Sequence, residues 1–185
     1  GPISRFGDLG EQLFTPHAFD GFHFRAGLSR VVWGFFKKLV IADTAMIGVR
    51  ELVENSADFT GVYVFLLILL YSAEIYGDFT GGIDITIGLS EMMGIRLAEN
   101  FDRPFSSRST KEYWRRWHIT MGAWFTDYVF YPLSVSTSMQ KLSKWSRKTL
   151  GEKIGKRVPV YLATVVTWFL TGLWHGAGLN FIVWG

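Results

Sequence analysis

Cysteine is absent from the 185-residue sequence, and its absence removes a disulfide framework, Cys-ligated zinc or iron–sulfur centres, c-type haem attachment and a thiol nucleophile. Charge is also scarce. Asp, Glu, Lys and Arg make up 19% of residues, below the roughly one quarter usual in soluble domains. The glycines between Gly77 and Gly88 are not followed by Gly-Lys-Ser/Thr, so they form no phosphate loop. Gly88-Leu89-Ser90-Glu91-Met92 lacks the closing glycine of a nucleophile elbow, and no serine hydrolase is indicated. His17 and His23 stand six apart, not at the four-residue spacing of a helical metal pair, and read as interface or loop residues. A metal site built from His118, His175 and a carboxylate has no support in spacing, so none is expected.

What is abundant is apolar: 49% hydrophobic residues, 17% aromatic, and 20 glycines. The formal net charge of +3 has an address, because residues 134–157 carry seven Lys and Arg against Glu152, leaving the rest of the chain at −3. Nucleic acid is not the expected partner, since a basic stripe across a whole face is missing. One basic segment beside apolar ones is what the positive-inside rule expects of a cytoplasmic connection.

From Val158 to Gly185 run 28 residues without Asp, Glu, Lys or Arg, more than the ~20 needed to cross a hydrocarbon core. A second run, Phe59 to Ala73, ends at Glu74 and continues through Asp78, spanning only if those carboxylates face protein or water. Residues 22–54 read as one long interfacial helix whose Arg25, Arg30, Lys37 and Lys38 snorkel. Met139, Leu142, Trp145, Leu150 and Ile154 recur at roughly helical spacing within the basic segment, as an amphipathic helix on an anionic leaflet would. Ser134–Ser138 is the best linker candidate. The chain opens without Met and stops inside an apolar run, so it reads as an internal fragment of a longer membrane protein, with missing helices completing any polar site. The fold expected is all-α, a polytopic membrane protein with transmembrane, re-entrant and interfacial amphipathic helices.

Chemistry concentrates between Asn100 and Tyr131. Ser109-Thr110-Lys111-Glu112 fits a capping box, with Ser109 as N-cap and Glu112 reaching back, so a helix should begin there. On it Trp114, Trp117, His118, Met121 and Phe125 share a face, while Glu112 can pair with Arg115 and Arg116 on another. His118 thus points to the apolar side, where a core histidine and a functional one are both open readings. His175, in Leu173-Trp174-His175-Gly176-Ala177-Gly178, is an ionisable group at the far end of an apolar span beside glycines that let a ligand approach, and there function is favoured. Of the three carboxylates Glu74, Asp78 and Asp84, the first two stand one helical turn apart and could share a proton, bind a cation or pair with the group Arg103, Arg108, Arg115 and Arg116, ion pairing being the first reading.

Five segments resemble the membrane-bound O-acyltransferase family: Tyr76-Gly-Asp-Phe-Thr-Gly-Gly-Ile-Asp84, Glu99-Asn-Phe-Asp-Arg-Pro-Phe-Ser-Ser-Arg-Ser109, Tyr113-Trp-Arg-Arg-Trp-His-Ile-Thr120, Trp124-Phe-Thr-Asp-Tyr128 and Leu173-Trp-His-Gly-Ala-Gly-Leu-Asn-Phe181. They follow the family order over nearly the whole chain, and the similarity is to its bacterial alginate O-acetylation branch, with teichoic-acid D-alanyl transfer proteins as cousins. One departure is Ser134-Val-Ser-Thr-Ser138, where the alginate branch carries a turn containing glycine and asparagine.

The resemblance implies that residues 1–185 form part of one acyltransferase domain in the cytoplasmic membrane, multi-pass, moving an acyl group, acetyl in the first instance, onto a glycan hydroxyl. It implies His175 as catalytic base and His118 as a second catalytic residue that orients the acceptor or stabilises the oxyanion through an N–H. Asp78, Asp84, Arg115, Arg116, Asp127 and Asn180 are implied as substrate-binding or structural polar residues. No bound cofactor is expected; the co-substrate is an acyl donor, acetyl-CoA or an acyl-carrier thioester. Expected partners are membrane lipid, the donor's carrier and the glycan acceptor, reached directly or through a periplasmic or extracellular acyltransferase. Other readings are D-alanyl transfer to teichoic acid, an ion-coupled transporter working through Glu74, Asp78 and Asp84, and a noncatalytic scaffold docking through the basic segment.

Overall fold

The computed structural model describes residues 2–184, and among them helices form all the regular structure apart from one isolated antiparallel bridge, Phe101 to Trp117. Two units, residues 1–120 and 121–185, each hold their own internal contacts.

The first unit starts with α1 (Phe6–Phe14) and α2 (Gly21–Phe35). Asp20 caps α2, its Oδ1 accepting from the backbone N–H of Phe22 at 2.7 Å and of His23 at 3.3 Å, which holds its carboxyl below the ordinary range. A π-helical turn (Phe36–Ala42) joins α2 to α3 (Asp43–Glu54), so residues 21–54 form one unbroken helical rod, as the sequence predicts. Gly61, at φ +60°, turns the chain into α4 (Val62–Met92), 31 residues long. The hydrophobic run closing at Ala73 therefore understates this helix: it continues past Glu74, Asp78 and Asp84.

α4 and α2 pack antiparallel through glycine on glycine. A Cβ added to Gly34 would lie 2.7 Å from the carbonyl oxygen of Gly81, and one added to Gly81 would lie 2.8 Å from that of Gly34. The same reciprocity holds seven residues along, between Gly27 and Gly88. Such backbone approach is how helices associate where lipid removes the hydrophobic drive between them. It also brings charges together. Lys37 Nζ is 2.5 Å from Asp84, Arg30 bonds Asp84 at 2.9 Å and clamps Glu99 with two 2.6 Å bonds, and Lys38 pairs with Asp78. The expected snorkelling of these cations is corrected: Arg30 and Lys37 turn inward onto Asp84, and Asp78 pairs with Lys38, so neither carboxylate pairs with the arginines of residues 103–116. Two opposed charges held against each other lose far less on leaving water than either alone.

A short 3₁₀ turn (Pro104–Ser106) precedes α5 (Thr110–Arg116), and α6 (Ile119–Phe125) leads into the second unit. There a π turn (Thr126–Phe130) and α7 (Tyr131–Ser134) precede α8 (Thr137–Leu150), α9 (Glu152–Gly155), α10 (Val158–His175) and α11 (Leu179–Trp184). Ser134–Ser138 is not a linker, because Ser136 caps α8 by accepting from Met139 N–H at 3.3 Å. The basic segment is helical, with Met139 and Ser146 buried and Trp145, Leu150 and Ile154 exposed; Ser146 Oγ donates to Gly155 O at 2.7 Å and ties α9 to α8. The 28-residue apolar stretch is likewise not one helix, since α10 stops at His175.

Two helical stretches are long and apolar enough to cross a bilayer, Val62–Met92 and Glu152–His175. Val62, Phe65, Ile68 and Leu69 are each more than half-exposed or close to it, a surface suited to lipid or further helices and not to water.

Candidate functional site

The first histidine sits at a break that the helical spacing does not foresee. Ser109 caps α5 through its Oγ, which accepts from Glu112 N–H at 3.2 Å, as the capping box requires. The Glu112 carboxylate reaches back to Arg108 N–H at 2.9 Å, one residue beyond the Ser109 N–H of a standard box, and pairs with Arg116 at 2.7 Å, as expected. Arg116 is thus bound locally, and Arg115 is exposed.

Instead of continuing to Phe125, the helix ends at Arg116. Trp117 is extended, and His118 takes a left-handed φ of +46°. The cause is non-local. Residues 100–102 run antiparallel to 116–119, with Asp102 N–H donating to Arg116 O and Ile119 N–H to Asn100 O, each at 3.0 Å. These bonds hold a backbone conformation whose strain is on the order of 1–3 kcal/mol for a non-glycine residue.

The expected apolar setting of His118 is met by a different geometry. It is 8% exposed, with the Phe79 ring edge-on at 4.8 Å and the Phe101 ring stacked at 6.5 Å. Its Nδ1 lies 3.2 Å from Oδ1 of Asn100, a fully buried side chain. The same oxygen accepts from Thr120 N–H at 3.1 Å and Thr120 Oγ1 at 2.7 Å, and Thr120 Oγ1 accepts from Ile3 N–H at 2.9 Å. Asn100 Nδ2 is buried without a hydrogen-bond partner among the described residues, at ~1–3 kcal/mol for the unmet donor. Asn100 was not singled out by spacing; its only sequence signal is a polar residue just ahead of an aromatic one in the Glu99–Ser109 motif.

Phe101, one of the rings around this histidine, also walls a polar cavity of about 290 Å³ lined by Arg30, Lys37, Tyr76, Asp84, Glu99 and Arg103 among others. Tyr76 and Phe101 belong both to its wall and to the ring cluster around Trp117. A cavity with fixed charges of both signs and aromatic faces can take a polyhydroxylated molecule, whose oxygens both donate and accept. Asp84 faces it; Asp78 is engaged with Lys38.

The second histidine belongs to the other unit. His175 is the last residue of α10 and is exposed. Gly176 follows because a Cβ there would lie 2.6 Å from the Phe181 ring, and the same ring folds α11 back against the helix end. Trp174 packs against Trp124 and Phe125, both at 6.1 Å between ring centres. Asn180 lies on α11 with its Oδ1 over Gly178, and Asp127 is half-buried in the π turn.

His17 occupies the loop before α2, its Nε2 2.6 Å from Gln12 O. His23 is helical, within α2, and 3.7 Å from Glu91. No cluster of three or more His, Asp or Glu able to hold a metal ion occurs among the described residues.

Two helical stretches of spanning length and ion pairs closed between α2 and α4 are features of a helical membrane protein. More narrowly, the chain belongs to the membrane-bound O-acyltransferase family, whose model matches residues 1–150. It is 39% identical over its full length to the probable alginate O-acetylase AlgI of Pseudomonas syringae pv. tomato, of which it covers 32%. It is 31% identical, over 82% of its length, to the peptidoglycan O-acetyltransferase of Helicobacter pylori, covering 26% of that protein. To the teichoic acid D-alanyltransferase of Streptococcus thermophilus it is 32% identical over 64% of its length, again covering 26%. The chain spans about a third of the length of the curated relatives it matches over its full length.

Proposed function

We propose that the intact protein is a multi-pass O-acyltransferase of the cytoplasmic membrane that moves an acetyl group onto hydroxyls of an exported or cell-surface polysaccharide. The observation that carries this reading is full-length similarity to proteins named as alginate O-acetylases. Two others, similar over shorter stretches, are named for peptidoglycan O-acetylation and teichoic acid D-alanylation. All three names describe an acyl group placed on a polymer.

In the mechanism we propose, His175 is the general base. The acceptor hydroxyl gives its proton to the imidazole as its oxygen attacks the donor's carbonyl carbon; the carbon–sulfur bond of the thioester then breaks, and the imidazolium returns the proton to the departing thiolate. The donor is acetyl-CoA or an acyl-carrier thioester acting as co-substrate. Without cysteine or a serine elbow in this segment, direct transfer needs the fewest groups from it. His118 orients the acceptor or steadies the oxyanion, and the charged cavity that Phe101 also walls suits sugar hydroxyls. The polysaccharide is met directly or through an extracytoplasmic acyltransferase partner.

Transport through Glu74, Asp78 and Asp84 is disfavoured by the engagement of Asp78 and Asp84 in ion pairs with Lys38, Lys37 and Arg30. His175→Ala in the full-length protein should abolish polysaccharide acylation in cells while membrane level and detergent stability stay close to wild type. Near wild-type product from that variant would remove the general-base assignment.

A further inference from the structure

The hydrogen bonds around Asn100 have only one consistent arrangement of protons. A backbone N–H can only donate, so the Asn100 side-chain atom 3.1 Å from Thr120 N is the oxygen, which settles the amide's orientation. The Thr120 hydroxyl has one proton, and because Ile3 N–H already points at its oxygen, that proton goes to Asn100 at 2.7 Å. Asn100 Oδ1 therefore faces His118 Nδ1 with nothing to donate. The hydrogen between them belongs to His118.

We infer that Asn100 is a positioning residue that fixes neutral His118 as the Nδ1–H tautomer, making Nε2 its proton-accepting atom. The backbone pairing of 100–102 with 116–119 carries both side chains, and His118 takes its left-handed φ of +46° within that pairing. Of the two roles open to His118, the neutral ring then has no Nε2 proton to give an oxyanion, and orienting the acceptor remains, with Nε2 accepting from a hydroxyl next to the one that reacts. That last step rests on the acyl-transfer reading; the tautomer does not.

Full-length protein in detergent, labelled with ¹⁵N at the histidine rings, tests both. His118→Gln identifies the His118 signals, which should show a protonated Nδ1 and a bare Nε2 in the wild type. Asn100→Asp keeps the accepting oxygen and adds negative charge, so it should raise the ring's titration midpoint and move the acid limb of the acylation rate to higher pH by the same interval. The ionisable groups within five residues of Phe79, Phe101 or His118 are Glu74, Tyr76, Asp78 and Asp84 on α4, Arg96, Glu99, Asp102 and Arg103 in the preceding loop, and Tyr113, Arg115 and Arg116 on α5, and they are common to both proteins. Asn100→Leu should lower the acylation rate about 10- to 100-fold, as loss of an orienting partner typically does. A wild-type ring protonated at Nε2 overturns the assignment, as does an Asn100→Asp protein whose ring titration is unchanged. Absence of acyl transfer in the wild type, with the Nδ1–H tautomer present, would overturn the proposed function and support the assignment.

Discussion

Gly81→Ala and Gly82→Ala place the same methyl group on consecutive residues of α4 and should have opposite effects. At Gly81 the new carbon would stand 2.8 Å from Gly34 O and 3.2 Å from Lys38 N, short of the 3.4 Å at which ordinary contact begins. Both neighbours are backbone of the opposing rod, so relief requires the helices to part by several tenths of an ångström. Overpacking of this kind costs about 1–3 kcal/mol, against a gain of ~0.5–1 kcal/mol from replacing a helical glycine with alanine. The net is a loss on the order of 1–2 kcal/mol, accompanied by lengthening of the 2.5 Å Lys37–Asp84 contact one turn away. At Gly82 nothing lies within 4 Å, so only the ~0.5–1 kcal/mol gain should remain. Equilibrium unfolding of the two full-length variants in detergent reads the difference directly. Equal stability within about 0.5 kcal/mol, below the smallest overpacking term, would refute glycine-mediated backbone contact as what joins α2 to α4.

Asp84→Asn should destabilise by ~3–5 kcal/mol, because Lys37, with its side chain 11% exposed, keeps its charge and loses its partner; adding Lys37→Met should restore most of that in the same unfolding assay. Orientation is testable by thiol labelling, since the segment is free of cysteine. With other cysteines of the full chain removed, Ser138→Cys should resist a membrane-impermeant reagent on intact cells and Leu179→Cys should react, because α10 lies between them and raises the chain roughly 25 Å; labelling of Ser138→Cys from outside would reverse the topology.

The local signals in the sequence were the reliable ones. Ser109 caps a helix because a hydroxyl three residues before an unbonded N–H needs no other information, and His175 stands at a helix end with glycine after it; Ser136 makes the same bond, but inside a Ser/Thr-rich run that reads as a linker. Two features escaped for a shared reason. Hydropathy stops α4 at Glu74, yet the helix runs on, with Asp78 and Asp84 met by Lys38, Lys37 and Arg30 from another rod. Helical spacing carries α5 through His118, yet pairing with residues 100–102 interrupts it. Asn100 became visible only with that pairing, since its importance lies in which atoms converge on its oxygen and not in its neighbours along the chain.

The π turn at Phe36–Ala42 is a frameshift in the rod that contains it. Buried positions along the rod are Gly27, Val31, Gly34 and Lys37, then Ala42, Ala45, Val49 and Leu52. Steps of three or four residues mark a stripe that follows α-helical pitch; the single step of five falls within the wide turn, where hydrogen bonds reach one residue further. The extra residue resets the phase, so both halves of the rod address the same partner helix although their stripes are out of register by about 100°, the rotation of one residue at 3.6 per turn. A chain one residue shorter here would keep its composition, hydropathy and helicity, and would aim Ala45, Val49 and Leu52 away from α4. The length of this stretch is thus under tighter constraint than the identity of most of its side chains.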